Sequence, residues 1–354
     1  GMQAEELDQV LTAYREMFPD VDLKDVYMFF DEIQNITGWD LFVLRVFKSY
    51  CPHVYVTGSN AKMLSSEIST ALRGWTLDYE VLPLSFDEYC RFTGVEARGY
   101  LESDQAKRHA AMESYIYGGA FPQVVLTPDA STKLKRLQGY FNTMLFRDMV
   151  ERHKIKNVEG LRYFLKRLML NLSKTTSINA IFNDMRSSGA VVNKDDLYNW
   201  ADWAVEAYMF VRYPKYSASM LKENQSLRKY YVIDTGMRQT VLMPQSTDKG
   251  KLLENIVALD LFRRRGEMRK MFYWFEKHEC DFVVQRDDRV EQVIQVCWSL
   301  DDVQTRQREI EGLKEAARGT KCDKLTIVTR DQRETIVEDG VTIEVIGIED
   351  WLLR

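Results

Sequence analysis

The sequence lacks an apolar run long enough to cross a membrane, and it lacks closely paired cysteines. Among its 354 residues no stretch approaches the roughly 18 apolar residues of a transmembrane helix, so no membrane contact is expected. The first residues, GMQAEELDQV, show no basic segment followed by an apolar one, which predicts no secretory signal. The five cysteines form no C-x-x-C pair, which argues against a disulfide scaffold or a cysteine zinc site. We expect a cytoplasmic protein.

Two catalytic motifs are also missing. No G-x-x-x-x-G-K-[ST] phosphate-binding loop occurs, and the Gly250-Lys251 pair is followed by Leu252. Without such a loop, no backbone amides surround the β- and γ-phosphates of a nucleotide and no lysine neutralises them. The four histidines stand apart without H-E-x-x-H spacing, so none is expected to be a metal ligand or a catalytic base.

The charge is unevenly distributed along the chain. The sequence has 48 Lys and Arg against 53 Asp and Glu, a net charge of −5 that does not favour nucleic acid as a partner of the whole surface. Residues 131–180, however, hold 11 basic and 3 acidic residues. A polyanion such as DNA is therefore expected to dock on this basic segment. Its basic residues are Lys133, Lys135, Arg136, Arg147, Arg152, Lys154, Lys156, Arg162, Lys166, Arg167 and Lys174.

Residues 2–125 have the pattern of an α/β unit. The wholly apolar run VYMFF at 26–30 predicts a strand buried on both faces, and HVYVTG at 53–58 predicts a second strand. A helical pattern near 39–49 separates them, and strand, helix, strand is the order of a parallel sheet. The run TLDYEVL at 76–82 predicts a third strand.

The rest of the chain divides into two further parts. Residues 126–245 contain three helical patterns followed by two β-rich pieces, the order of a winged helix. Winged helices contact either DNA or proteins, and both partners stay open here. Residues 246–354 form a second α/β domain, with a helix followed by strands at MFYWF, CDFVV and VEQVIQVCW, another helix, and strands at KLTIVT and VTIEVIG.

Acidic and polar residues follow the first two predicted strands. Asp31 and Glu32 end the first strand, and Thr57-Gly58-Ser59-Asn60 ends the second. In open parallel sheets ligands bind at this carboxyl edge, so these residues form a candidate site. Taken alone, an apolar run ending in Asp-Glu also fits a solvated turn before the next helix.

The order of motifs along the whole chain resembles a family of prokaryotic AAA-type ATPases. The members of this family carry a C-terminal domain of unknown function with a nuclease-like core. The motifs are FFDEIQ, VTGSNAKML, ALRGW, PLSFDEY, YGGAFPQ, LFRDMVERHKI, KYYVIDTGM, LLENIVALDLFRRRG, ECDFVV and VIQVCWSL. The resemblance implies ATP and Mg²⁺ as cofactors. It places Asp31 on the metal, Glu32 as the base that polarises the attacking water, and Ser59 and Asn60 beside the γ-phosphate.

Two departures from the family pattern bear on activity. The phosphate-binding loop, which lies upstream of the Asp-Glu strand in relatives, is absent from this sequence. The family's LxGR element, which supplies an arginine, reads Leu-Arg-Gly-Trp here, so Trp75 stands at the arginine position and Arg73 is the available substitute. Because an arginine finger contributes several orders of magnitude in rate, we expect no ATP hydrolysis by this chain.

The last domain follows the layout of the PD-(D/E)xK nuclease fold. Glu254 on the helix and Asp281 on a strand match its acidic positions, but Gln295 and Cys297 stand where the fold carries its E-x-K acid and lysine. An amide is a weak ligand for a hard divalent ion, and a thiol does not act as an ammonium. We expect a catalytically inactive site. Glu279 shares a strand face with Asp281 and could keep a cation nearby.

These observations lead to a three-part α/β fold and three functional readings. The fold comprises a truncated AAA-type parallel-sheet core (2–125), a winged-helix-like helical middle (126–245) and a PD-(D/E)xK nuclease-like domain (246–354). The first reading is an ATPase-family protein that does not hydrolyse ATP and acts through contacts with protein, DNA or a second copy of itself. The second is a functional ATP-binding ATPase whose phosphate-binding loop precedes this sequence. The third, a DNA nuclease, is disfavoured.

Overall fold

The computed structural model describes residues 4–33, 36–58, 75–217, 219, 223, 226–243, 248–266 and 268–354. The chain forms two compact units. The first comprises residues 1–81 with 206–208, and the second comprises residues 82–205 with 209–354. The predicted sequence domains 2–125, 126–245 and 246–354 stay predictions.

The first unit contains two helices and a two-stranded sheet. Its elements are α1 (Ala4–Met17), β1 (Tyr27–Phe30), α2 (Trp39–Ser49) and β2 (His53–Val56). The two strands pair in parallel with Tyr27 opposite His53 and Phe30 opposite Val56, which confirms the predicted arrangement. Buried residues of α2, with Ile33 and Cys51, form the core against one face of this pair.

Two expectations for this unit are wrong. Strand β1 is not buried on both faces, because Tyr27 and Phe29 on one face are 58% and 70% exposed. Phe29 stacks on Tyr55 of β2 with 4.9 Å between ring centroids, so an aromatic surface lies opposite the core. Residues 76–82 form no strand, and their alternating apolar side chains are exposed. Alternation predicts a strand only when another strand offers hydrogen bonds, and no described strand pairs with this segment.

The second unit begins with helices. These are α3 (Phe86–Thr93), α4 (Glu102–Gly118), α5 (Pro122–Val125), α6 (Ala130–Thr143), a π-helical segment (Met144–Glu151), α7 (Val158–Leu170), α8 (Ile178–Ser187), α9 (Lys194–Glu206) and α10 (Thr235–Leu242). Local sequence sets their starts. Ser85 and Glu88 form a reciprocal capping box at α3, and Asp234 caps α10 by accepting a hydrogen bond from the Met237 amide.

A small antiparallel sheet accompanies α7, α8 and α9. Its strands are β3 (Thr175–Thr176), β4 (Phe210–Pro214) and β5 (Arg228–Val232), in the spatial order β3, β5, β4. The short strand β3 lies between α7 and α8 along the chain, and it pairs with the last strand, β5. Strand β5 is almost wholly buried, and this burial carries one of its side chains into the site described below.

A six-stranded mixed sheet forms the end of the chain. Its elements are α11 (Lys249–Arg263), β6 (Arg269–Phe275), β7 (Glu279–Arg286), β8 (Arg289–Val296), α12 (Val303–Thr320), β9 (Leu325–Thr329), β10 (Glu334–Glu338), β11 (Val341–Gly347) and α13 (Ile348–Leu352). The strand order is β10, β11, β9, β8, β7, β6. Strands β6, β7 and β8 are antiparallel, whereas β9 is parallel to β8 and to β11. Sequence analysis predicts these strands apart from β10, whose apolar content is low.

The Gly118-Gly119 pair lies between α4 and α5 and packs against the start of α10. The amide of Ala120 donates to the Asp234 carboxylate at 2.6 Å. A Cβ atom on Gly119 would lie 2.3 Å from that carboxylate, and one on Gly236 would lie 2.3 Å from the Gly118 carbonyl oxygen. Glycine is therefore required on both sides of this contact.

No helix in the described ranges is long and apolar enough to span a membrane.

Candidate functional sites

The first candidate site lies at the carboxyl ends of β1 and β2. Asp31 follows β1, and Thr57 follows β2, where its amide donates to the Phe30 carbonyl oxygen at 2.9 Å. The Thr57 hydroxyl donates to the Asp31 carboxylate. It also accepts a hydrogen bond of 3.2 Å from the amide of Glu32, whose φ of 51° is left-handed. Parallel pairing thus joins the two strand ends that sequence analysis selected.

The other residues predicted for this site cannot be placed with it. Ser59, Asn60 and Arg73 lie outside the described residues. Trp75, at the expected arginine position, is described and is 63% exposed. The juxtaposed carboxylate and hydroxyl oxygens of Asp31 and Thr57 are ligands that suit Mg²⁺. A phosphate-binding loop, which would hold a triphosphate beside such oxygens, does not occur in this sequence.

Thr57 lies in the polar segment predicted at the end of the second strand, but the sequence assigned it no role of its own. The available signal was position, because Thr57 is the first polar residue after an apolar strand. Its hydroxyl holds one Asp31 oxygen and the backbone after it, so it fixes the orientation of the acid.

The second candidate site lies in the second unit, where a helix and a strand place three acidic side chains around a lysine from another strand. Helix α11 carries Glu254, strand β7 carries Glu279 and Asp281, and strand β5 carries Lys229. The Lys229 ammonium lies 3.0 Å from a Glu254 oxygen, 3.0 Å from an Asp281 oxygen and 2.5 Å from a Glu279 oxygen. The Tyr231 hydroxyl donates to the same Glu254 oxygen at 2.7 Å. We call these five residues the Lys229 cluster.

Local structure explains how the cluster forms. Glu279 and Asp281 are two residues apart on β7, so both side chains point to one face of the sheet. Lys229 and Tyr231 have the same spacing on β5. The Asp281 carboxylate is held at its other oxygen by the amide of Val296, at 2.9 Å. The acids are thus fixed by sheet geometry.

Burial and charge act in opposite directions inside the cluster. The side chain of Lys229 is fully buried, which alone would lower its pKa. The negative charges of Glu254, Asp281 and Glu279 outweigh burial and raise the pKa of Lys229 well above its ordinary value. Burial, with the Asp281 charge, raises the pKa of Glu254 to about 8. The arrangement therefore keeps the lysine charged.

The two remaining residues predicted for this site do not take part in the cluster. Gln295 accepts a hydrogen bond of 3.0 Å from the amide of Asp281, and its side-chain amide donates to Glu309. Cys297 is buried in the main hydrophobic core of the sheet. Burial and the Glu309 charge raise the pKa of Cys297 to about 12, which keeps it a neutral thiol. Glu254 and Asp281 are therefore brought together, whereas Gln295 is a structural hydrogen-bonding residue.

Sequence analysis missed Lys229. The E-x-K pattern places the lysine on the strand of Gln295, whereas Lys229 lies on β5, about fifty residues before Asp281 in the chain. The available signal was a lysine inside the apolar run KYYVI, since lysine is rarely buried unless it is paired. A lysine in such a run is expected to be buried beside an acidic side chain, but the run does not identify which acid it pairs with.

A cavity of about 680 Å³ opens beside the cluster. Glu254, Glu279 and Asp281 line it together with basic side chains, among them Lys251, Lys277 and Arg308. Arg308 pairs with Glu309, which lies at 2.6 Å. In the described part of the chain, no group of three or more acidic, histidine or cysteine side chains is arranged to hold a metal ion. The Lys229 ammonium is the cation that the acids surround.

The basic segment 131–180 lies on α6, the π-helical segment and α7. Most of its basic side chains are exposed, including Lys135 and Lys166. Some are engaged within the fold. Arg167 pairs with Asp184, and Arg162 contacts the Phe141 and Phe146 rings. A basic surface is present, although fewer of its charges are available than the sequence count indicates.

Helix α9, the third helix of the group before the hairpin, has the opposite charge. Its sequence KDDLYNWADWAVE contains one lysine and four acidic residues. Asp195, Asp196 and Tyr198 are exposed. This helix therefore presents a negative surface, which repels phosphates.

Comparison with known proteins finds matches to two segments of the chain. Residues 2–90 match the profile of an AAA domain, and residues 109–248 match a domain of unknown function (DUF8612). The uncharacterized protein MJ1544 of Methanocaldococcus jannaschii is 33% identical over 337 residues, which cover 92% of this chain and 74% of that protein. An uncharacterized protein of Haemophilus influenzae is 27% identical over 331 residues, which cover 93% of this chain and 78% of that protein. No solved structure matches the chain. The chain belongs to the same family as MJ1544, and residues 2–90 are its AAA-domain segment.

Proposed function

We propose that this chain is an ATPase-family protein that does not hydrolyse ATP by itself and acts by binding a protein partner. The observation that carries this proposal is that the sequence has no phosphate-binding loop for the first site, while the Lys229 ammonium already lies among the acids of the second. The chain would then act through the surfaces of its second unit, by binding a protein partner.

The nucleotide half of the proposal rests on what Asp31 and Thr57 offer. They provide oxygen ligands for a cation and nothing that binds phosphates. Calorimetric titration of the chain with Mg-ATP, with Asp31→Asn as the control, tests this directly. We expect no binding heat in either protein. Saturable binding that disappears in Asp31→Asn would favour the second function, an ATPase whose phosphate-binding loop comes from outside these residues.

The second part of the proposal is that the chain has no nuclease activity. The strand order β6, β7, β8, β9, with β8 and β9 parallel and helices α11 and α12 alongside, supports a PD-(D/E)xK-like core. Such a site needs acids on Mg²⁺ and a lysine that activates water. Here the lysine binds both acids, and Gln295 offers only an amide. We expect no Mg²⁺- or Mn²⁺-dependent cleavage of DNA, and cleavage that Asp281→Ala abolishes would contradict the proposal.

The choice of a protein partner over DNA rests on α9. The order α7, β3, α8, α9, β4, β5 and the pairing of β3 with β5 support a winged helix. The third helix of that fold is the one that enters the major groove in DNA-binding members. Asp202 is paired with Arg212, but the exposed Asp195 and Asp196 make α9 unfavourable for that role and suit a basic protein surface.

DNA contact through the basic segment 131–180 is the alternative, and salt dependence separates the two. DNA binding would weaken steeply with salt and weaken further in Lys135→Glu/Lys166→Glu. Capture of a protein partner would instead fail in Asp195→Lys/Asp196→Lys and survive the lysine changes. We expect the second pattern. DNA affinity that falls with salt and with the lysine double substitution would contradict it.

A further inference from the structure

We propose that a groove in the second unit, between the start of α7 and the loop before α9, is the docking site for an amphipathic basic helix of the protein partner. The apolar side chains of that helix enter the groove, and its basic side chains face Asp195 and Asp196. The groove receives the same partner that binds α9, so this assignment rests on the proposed function.

The groove has two walls of different origin. Its volume is about 860 Å³, which is within the range of clefts that hold a ligand. One wall is the start of α7, where Lys156, Glu159 and Tyr163 repeat at helical spacing. The other wall is the loop 188–191. Lys156 and Glu159 have opposite charges, so the groove itself does not select a charged occupant.

Apolar side chains are exposed on both walls. Tyr163 is 41% exposed, and Val191 is 91% exposed. Both line the groove, so a partner that fills it removes their apolar surface from water. Binding grooves for amphipathic helices have this construction, with the apolar face of the helix covering apolar walls.

One side chain fixes the two walls relative to each other. The Asn157 side chain accepts a hydrogen bond of 2.9 Å from the Gly160 amide in α7 and donates one of 2.9 Å to the Val191 carbonyl oxygen. A Cβ atom on Gly160 would lie 2.6 Å from the Asn157 side chain, so the cap packs closely on the helix. The groove is therefore formed before a partner arrives, which lowers the entropic cost of binding.

Charge next to the groove selects a basic occupant. Asp195 and Asp196 follow Val191 by four and five residues, so their Cα atoms lie at most roughly 18 Å from it. Both are exposed, and in the described part of the chain neither carboxylate has an ion-pair partner. Lys194 lies instead over the Tyr198 ring, 6.0 Å from its centre. A helix of about twelve residues, roughly 18 Å long, reaches from the groove to both acids.

The test uses the full chain and a fluorescently labelled synthetic helix of leucine and lysine, with leucines three and four residues apart. Fluorescence anisotropy measures its affinity. We expect saturable binding to unchanged protein. Two control peptides, one with serine in place of leucine and one with glutamate in place of lysine, should each bind at least about tenfold less tightly.

Val191→Asp/Tyr163→Gln tests the groove, because it removes apolar surface and adds a negative charge. Attraction by charge alone would make this variant bind the lysine peptide more tightly, whereas docking in the groove makes it bind at least about tenfold less tightly. Val303→Asp is the matched control, since Val303 is 75% exposed at the start of α12 and does not line the groove. It should not lower the affinity. If circular dichroism shows that the double variant does not fold, Val191→Asp alone replaces it.

Asp195→Lys/Asp196→Lys tests the charge. We expect at least about tenfold weaker binding of the lysine peptide and a smaller dependence on salt. The matched control is Asp287→Lys/Asp288→Lys, which reverses another adjacent pair of exposed acids, in the turn between β7 and β8. This control should keep most of the affinity.

Failure of unchanged protein to bind the lysine peptide would overturn the proposal, as would a folded groove variant that binds it as tightly as unchanged protein. In the latter case, weakening by Asp195→Lys/Asp196→Lys leaves the proposed function standing. If only the groove variant weakens binding, the groove remains the docking site and the proposed role of α9 is contradicted. Displacement of the peptide by a short DNA duplex, or self-association that the groove variant abolishes, would assign the groove to DNA or to a second copy and overturn the proposal.

Discussion

At Gly312, helix α12 packs directly against the strand that carries Glu279 and Asp281. A Cβ atom at Gly312 would lie 2.1 Å from the Glu279 carbonyl oxygen and 3.2 Å from its carbonyl carbon. Real Cβ contacts essentially never fall below 3.0 Å, so Gly312→Ala forces the helix and the strand apart. Unlike a side-chain end, a strand carbonyl cannot rotate away without breaking the sheet.

The magnitude follows from two opposing contributions. Replacing glycine by alanine inside a helix stabilises a protein by about 0.5–1 kcal/mol. Overpacking that moves backbone costs about 1–3 kcal/mol, and a displacement of roughly 1 Å belongs in the upper part of that range. We therefore expect Gly312→Ala to lose about 1–2 kcal/mol of unfolding free energy.

Gly139→Ala is the internal control for this prediction. Gly139 lies in α6, and a Cβ atom there would meet nothing within 4 Å. Only the helix-propensity gain applies, so the unfolding free energy should rise by about 0.5–1 kcal/mol. Urea denaturation followed by circular dichroism measures both variants. A Gly312→Ala protein that is stabilised like Gly139→Ala would show that a Cβ atom at position 312 does not force the helix and the strand apart.

Three further predictions concern titratable groups. Burial alone would raise the pKa of Glu315, but hydrogen bonds from the Lys277 amide and the Trp274 indole, among others, lower it to about 2. Its stabilising contribution is present above about pH 4.5 and is lost as pH falls toward 2, so Glu315→Gln should lower the unfolding free energy at neutral pH and change it little near pH 2 in pH-dependent denaturation. Burial raises the pKa of Asp234 to about 6, so its contribution is present near pH 4 and lost as pH rises through 6. The unfolding free energy of unchanged protein, relative to that of Asp234→Asn, should therefore fall as pH rises from 4 through 6, and a relative rise would contradict this. All five cysteines are buried, and the pKa of Cys297 is raised to about 12, so a thiol reagent such as DTNB should label the native protein slowly and the urea-unfolded protein at once.

The two candidate sites differ in how far sequence could predict them. Asp31 and Thr57 meet because consecutive parallel strands end at the same sheet edge, and hydrophobic patterning reveals both strand ends. Glu254 and Asp281 are likewise expected near each other from the helix-and-strand layout. Lys229 is not, because β5 belongs to a different sheet and its approach depends on how two sheets pack.

Local patterning also failed where no neighbour was available. Residues 76–82 alternate like a strand but stay unpaired, and β1 is apolar throughout yet exposes Tyr27 and Phe29. Apolar patterns report that a segment can be buried, whereas burial itself depends on the elements around it.

From the sequence alone one can determine the α/β class, the parallel pairing of β1 with β2, most strands of the six-stranded sheet and the missing phosphate-binding loop. Each of these depends on residue periodicity or on a contiguous motif, which are local properties of a chain. Only the tertiary structure places the Lys229 ammonium among three acids, turns Gln295 into a hydrogen-bonding residue and buries Cys297 in the core. Those outcomes depend on contacts between residues up to fifty positions apart, because the low dielectric and fixed geometry of a packed interior decide which charges meet.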